Sequence, residues 1–184
     1  LESVGITNVI KKMKPSHFED LVAVLALYRP GPMDNIDEYI SRKNGAKFAY
    51  LHPLLEPILK DTYGIIIYQE QIMRIAQVFA GYSLGEADVL RRAVSKKKKE
   101  VLESERVRFV NHSILKGYDE KVANEIYDYI VKFADYGFNR SHSVAYAIFT
   151  YQMAYLKANY LNVFLSKLLN NVIGNDSELA NYIK

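Results

Sequence analysis

Apolar positions along this chain recur at three- and four-residue spacing more often than they alternate. In Gln69 to Ala80 the residues Ile72, Met73, Ile75, Ala76 and Phe79 form one helical face, and Gly81 follows as a stop. From Glu120 to Ala134, the residues Val122, Ile126, Tyr129, Ile130 and Phe133 draw a second stripe, which Asp119 can cap. Ser83 with Glu86 forms a capping box ahead of a helix over Leu84 to Val94, and Ser16 with Glu19 repeats that spacing near the start. Ser141 or Ser143 can cap a long helix to about Tyr160, another runs from Leu161 to Ile173, and Asp176 can open a short last one. Gly64 to Tyr68, with three successive Ile, reads equally as a strand or as the buried start of a helix. All five Pro fall between Pro15 and Pro57, and the long Pro-free remainder suits helices. The pattern predicts an all-α chain: a compact, irregular multi-helix domain of about nine helices. No fixed-period repeat, low-complexity tract or linker interrupts it, so a single compact unit is expected.

Composition narrows this only a little. A chain of 184 residues can bury roughly 70% of its unfolded surface, and 49% hydrophobic residues exclude wholesale disorder. No apolar run approaches the roughly 18 residues that a membrane span needs, and no signal peptide opens the chain, so no membrane is expected among its partners. With no Cys there is no disulfide framework, thiolate metal site or thiol nucleophile, which fits a cytoplasmic protein. The chain opens on Leu1 rather than Met and is expected to be a piece of something longer.

Charge is informative locally. The net charge is +3, yet Arg91, Arg92, Lys96, Lys97, Lys98 and Lys99 crowd into one short tract, leaving the rest of the chain neutral or slightly acidic. Arginine forks match phosphate oxygens in pairs and lysines add point charge, so such a tract suits phosphate binding. A solvated helix start, with the lysines paired to Glu100 and Glu103, is the competing reading. Arg91 and Arg92 differ from the lysines because they sit inside the pattern of Val89, Leu90 and Ala93. One of the two must therefore approach the apolar face, where an unpaired guanidinium is costly.

A second constellation is Tyr136-Gly137-Phe138-Asn139-Arg140-Ser141-His142-Ser143, followed by Val144, Ala145 and Tyr146. Free amides at a helix start beside Asn139, Arg140 and His142 make an anion site, and Tyr136, Phe138 and Tyr146 offer faces on which a base can stack. A capped corner between two helices fits the same residues. Tyr28-Arg29-Pro30-Gly31-Pro32 is a stiff turn that can be purely structural. Asp34, Asp37 and Glu38 share a helical face, where a cap and dipole partners account for them better than a metal site does. His17, His52, His112 and His142 have no ligand spacing, and no Walker loop, nucleophile elbow or HExxH is present. No catalytic pair and no metal site are read in the chain.

Taken together, the tracts Phe18-Glu19-Asp20-Leu21, Ala26 to Pro32, Arg42-Lys43-Asn44-Gly45, Thr62 to Ile65 running into Tyr68-Gln69-Glu70-Gln71-Ile72-Met73, Leu90-Arg91-Arg92-Ala93 with its lysines, and Phe133 to Tyr146 resemble one family in order and register. That family is the bacterial C-family replicative DNA polymerases, the family of the DNA polymerase III alpha subunit, and within it the fingers domain. The resemblance implies a fingers domain over residues 1–174, with 175–184 as a tail or the start of a following helix. It implies binding of an incoming dNTP and of primer-template DNA during template-directed synthesis. The catalytic carboxylates and two Mg²⁺ ions would lie in a palm domain upstream, so the fragment alone would be inactive. Palm and other domains of a parent chain, a sliding clamp and further replisome subunits are the implied partners.

By position in the motifs, Arg91, Arg92, Asn139, Arg140, Ser141 and His142 are the expected nucleotide-binding residues, and Lys96, Lys97 and Lys98 the expected DNA-binding ones. Tyr28, Arg29, Pro30, Gly31 and Tyr146 are expected to shape the pocket. Arg140 stands where the family often has Lys, which keeps the charge and changes the donor geometry. Two alternatives stand beside the resemblance: a freestanding helical nucleic-acid-binding module with a phosphate-contacting basic tract, and a purely structural helical domain.

Overall fold

Helices dominate because the apolar stripes have to be hidden and little else in the sequence can hide them. The computed structural model describes residues 3–96, 99–134 and 137–183. Among them are eleven α-helices, three short 3-10 turns and no strand. The helices are α1 (Val4–Met13), α2 (Phe18–Leu27), α3 (Ile36–Lys43), α4 (Glu56–Leu59), α5 (Gln69–Ala80), α6 (Leu84–Lys96), α7 (Lys99–Leu115), α8 (Glu120–Ala134), α9 (Arg140–Asn159), α10 (Leu161–Asn171) and α11 (Asp176–Ile183). The all-α expectation is borne out. The excess over about nine includes α4, whose 4 residues are too few to show a period.

The chain divides into two compact units, Leu1–Val144 and Ala145–Lys184, where the sequence suggested one. The division falls inside α9, which carries no Pro or Gly to announce it. In the first unit α5 is the hub, packing against α4, α6, α7 and α8. Its Ile72, Ile75, Ala76 and Phe79 are fully buried, as the periodicity required. Ile72, Ile75 and Phe79 each contribute roughly 1.5–3 kcal/mol by leaving water. The Phe79 ring stacks on Tyr118 at 4.1 Å, and α8 closes the other side with Ile126, Tyr127 and Ile130. The second unit holds the rest of α9 with α10 and α11. There Met153, Leu156, Tyr160, Val163, Phe164 and Leu168 line an apolar cleft of about 230 Å³, and α10 has no buried residue. Among the described residues no helix is long and apolar enough to cross a membrane.

Caps decide where helices begin. Ser83 and Glu86 form the expected box: the Ser83 amide donates to the Glu86 carboxylate at 2.8 Å and the Glu86 amide to the Ser83 hydroxyl at 3.3 Å. Asp119 accepts from Lys121 and Val122, as expected. At α2 the expectation is off by one residue. The capping carboxylate is Asp20, which accepts from the amides of Ser16 at 2.8 Å and His17 at 3.1 Å, while Glu19 points elsewhere. Asp20 is 2% exposed, so it also takes the Tyr39 hydroxyl at 3.2 Å and the Lys43 ammonium at 3.1 Å. At α9 the cap is Asn139, whose Oδ1 accepts from the His142 amide at 2.9 Å. Ser143, one of the two expected caps, is instead buried and donates its hydroxyl to Val22 O at 2.7 Å.

Ile65 to Tyr68 is neither strand nor helix start. It is a buried irregular segment, and among the described residues its one ladder contact is a parallel bridge from Tyr68 to Phe138. It is launched by Gly64 at φ +79°, where a Cβ would lie 2.7 Å from Phe48 and 2.9 Å from Arg42. The Gly64 carbonyl accepts from the Tyr129 hydroxyl, which burial pushes up to about 12 and so keeps protonated.

Candidate functional site

The Tyr68–Phe138 bridge is the point around which the sequence tracts gather. The Phe138 amide donates to Ile67 O and the Gln69 amide to Phe138 O, both at 2.9 Å. This pins the loop before α9 against the start of α5. Arg29, from the Pro-rich turn, lies over the Phe138 ring at 4.6 Å, and burial lowers the pKa of its guanidinium. Arg140 lies over the Tyr68 ring at 5.8 Å. Arg91 reaches from α6 to Gln69 Oε1 at 3.3 Å, while Gln69 Nε2 donates to Gly137 O at 3.1 Å. Three guanidinium groups, from tracts far apart in sequence, thus surround one short length of backbone.

Acids hold two of these arginines and their neighbour Arg92. Asp88 is shared: its Oδ1 takes Arg91 and its Oδ2 takes Arg92, each at 2.7 Å. The hydrogen bond from Arg91 is the main reason its carboxyl sits below the usual range. Arg91 is the arginine nearer the apolar face and Arg92 is 58% exposed, which resolves the either-or that the helical pattern posed. Glu70 receives the Arg140 amide on both carboxylate oxygens, at 3.0 and 3.1 Å, and Glu19 receives the Arg140 guanidinium at 2.8 Å. Burial works against the charged form of Arg140, but the bond and charge of Glu19 outweigh it and raise its pKa. The first amide of α9, expected to be free for an anion, is therefore occupied by a carboxylate of the chain itself. That arrangement fits the positive end of the helix dipole.

Asn139, Ser141 and His142 occupy the start of α9, with Ser141 and His142 exposed and the His142 ring 5.6 Å from Phe138. Tyr28 ends α2, its hydroxyl against Gly5, where a Cβ would come within 1.9 Å. Pro30 is exposed, and Gly31, at φ +94°, turns the chain into the 3-10 segment from Pro32, which is buried. Tyr146 belongs to the second unit and is 57% exposed. Lys96 ends α6, whereas Lys97, Lys98 and Tyr136 lie outside the described residues. No cluster of acids, His or Cys among the described residues can hold a metal; of the Asp34, Asp37, Glu38 face, Glu38 pairs with Arg42.

Sequence reasoning did not single out Gln69, Glu70 or Asp88 as site residues, and it read Glu19 as a cap and as part of a family tract. Asp88 carries a readable signal, standing three and four residues before its arginines. Glu19 and Glu70 carry none, since their partners lie 121 and 70 residues away.

The site is thus a junction within a helical fold at which arginines from separate tracts meet. A family profile described as the bacterial DNA polymerase III alpha subunit finger domain matches residues 1–117. DNA polymerase III subunit alpha of Staphylococcus aureus is 56% identical over 185 aligned residues, covering 100% of this chain; that of Staphylococcus epidermidis is 56% identical over 181, covering 98%. The chain belongs to the DNA polymerase III alpha subunit family, in its finger domain. It spans 17% of the length of these curated relatives.

Proposed function

We propose that residues 1–174 act as the fingers of a cytoplasmic replicative DNA polymerase, binding the triphosphate of an incoming dNTP and the primer-template beside it, with 175–184 as a tail or the start of a further helix. The observation that carries this reading is the convergence of Arg29, Arg91 and Arg140 on the Tyr68–Phe138 junction, with Arg92 exposed on the adjoining helix. Exposed ion pairs such as Glu19–Arg140, 38% and 43% accessible, hold by under about 1 kcal/mol. A triphosphate can therefore exchange for the carboxylate at little expense, and its charge is better matched to a guanidinium fork. Asn139, Ser141 and His142 complete the contact to sugar, base or phosphate, and the turn Tyr28 to Gly31 shapes the floor. Lys96, Lys97 and Lys98 meet the DNA backbone.

Chemistry in this reading belongs to the parent chain: attack of a primer 3′-hydroxyl on the α-phosphate of a dNTP. The described residues offer no donor set for the Mg²⁺ ions the family implies, and those ions are assigned to the palm. A sliding clamp and other replisome subunits would be partners of the whole enzyme. Identity along the whole chain favours this reading over a freestanding nucleic-acid-binding module.

Replacing Arg92 with Ala in the parent polymerase should raise the nucleotide KM about tenfold or more, the loss expected for one charge-assisted hydrogen bond. Steady-state kinetics with varied dNTP measure this. Unchanged constants in a folded variant would overturn the assignment.

A further inference from the structure

We propose that Gln69 is a positioning residue that sets Arg91 for the nucleotide, an inference that rests on the nucleotide-binding reading above. A side-chain amide has one accepting and one donating end, and here each is used on a different tract. Oε1 accepts from Arg91 Nη1 at 3.3 Å, and Nε2 donates to Gly137 O at 3.1 Å. The same residue's backbone amide donates to Phe138 O at 2.9 Å, so its Cα is fixed and the side chain has little freedom to follow a wandering arginine.

On the far side of Arg91, Asp88 Oδ1 takes Nε at 2.8 Å and Nη2 at 2.7 Å. The guanidinium is therefore held from two directions. Asp88 belongs to its own helix and moves with it, whereas Gln69 belongs to α5. Gln69 alone of the two ties the orientation of Arg91 to the loop that carries Asn139 and Arg140. Without it, α6 and the loop before α9 would still pack on α5, but Arg91 would lose this hold on its orientation toward the loop, and preorganised donors lose affinity when their geometry loosens. A neutral amide suits this task. It orients the arginine without neutralising it, as a second carboxylate would.

The test uses the full-length parent polymerase. Gln69→Ala should raise the nucleotide KM about tenfold, the size of one hydrogen bond to a charged group, with kcat within about twofold. In an Arg91→Ala background the same substitution should add less than about twofold, because the residue through which it acts is gone. Gln69→Glu keeps an acceptor for Arg91 but loses the donor to Gly137 O and adds the charge that an amide avoids, so it should recover little of the loss. Equal effects of Gln69→Ala in both backgrounds, a fall in kcat as large as the rise in KM, or a Glu variant with the wild-type KM would overturn the inference. If Arg91→Ala raises KM and Gln69→Ala does not, the inference alone fails. If Arg91→Ala leaves KM unchanged, the nucleotide-binding reading fails and takes the inference with it.

Discussion

A carboxylate as buried as Asp20 stays ionised only because donors surround it. The amides of Ser16 and His17, the Tyr39 hydroxyl and the Lys43 ammonium supply them. Burial on its own would raise its pKa, yet these bonds bring the carboxyl below its ordinary value of 3.8. Its contribution to stability is therefore complete above that value and is lost as pH falls through the lower folded one. Asp20→Ala would leave the Lys43 ammonium, which is 8% exposed, its bond to the Ser16 hydroxyl but no counter-charge from Asp20, and should destabilise the chain by about 3 kcal/mol at pH 7. Denaturant unfolding checks this. The gap between wild type and variant should narrow at acid pH, and a pH-independent gap would rule the ionic account out. The sequence marked Ser16 and Glu19 as the box, one residue from the acid that does the capping. Both acids fit the local spacing. What separates them is that Tyr39 and Lys43 wait on one side of α2 and Glu19 receives Arg140, neither of which the tract around Ser16 reveals.

At the scale of elements, periodicity was enough for α5, α6 and α8, because their stripes run through several turns and their caps or stops lie in the adjoining sequence. It was not enough for Ile65 to Tyr68. Three successive Ile satisfy a buried strand and a buried helix alike, and the contact that decides, Phe138, arrives after four intervening helices. Gly64 makes the entry into that segment possible. Its left-handed backbone disfavours any L side chain, and a Cβ would press on Phe48 and Arg42. Gly64→Ala should cost about 2–4 kcal/mol, the sum of backbone strain and overpacking, read as a lower denaturation midpoint at unchanged slope. An unaltered midpoint would mean that the turn relaxes freely and that Gly64 is not required there.

For the whole molecule, the charges that matter were legible as a list and not as an arrangement. Arg29, Arg91 and Arg140 stood out by motif, but the junction that joins them and the Glu19 and Glu70 carboxylates on Arg140 are long-range. The lysine tract after α6 belongs to this scale too, since its effect on DNA depends on the ionic atmosphere. Changing Lys96 to Lys99 to Ser in the parent polymerase should flatten the dependence of log affinity on log salt by about 0.9 for each duplex phosphate no longer neutralised. DNA titrations over a range of salt measure it, and an unaltered slope would return the tract to a solvated surface. The junction itself carries a consequence for how the protein is made. Glu70 and Arg140 are 70 residues apart, and closing so long a loop is entropically opposed until α5 to α8 have packed and drawn its ends together. During synthesis, a chain that has emerged only as far as α8 already holds Arg29, Arg91 and Asp88. It acquires their common geometry only when Phe138 emerges and its bridge to Tyr68 closes.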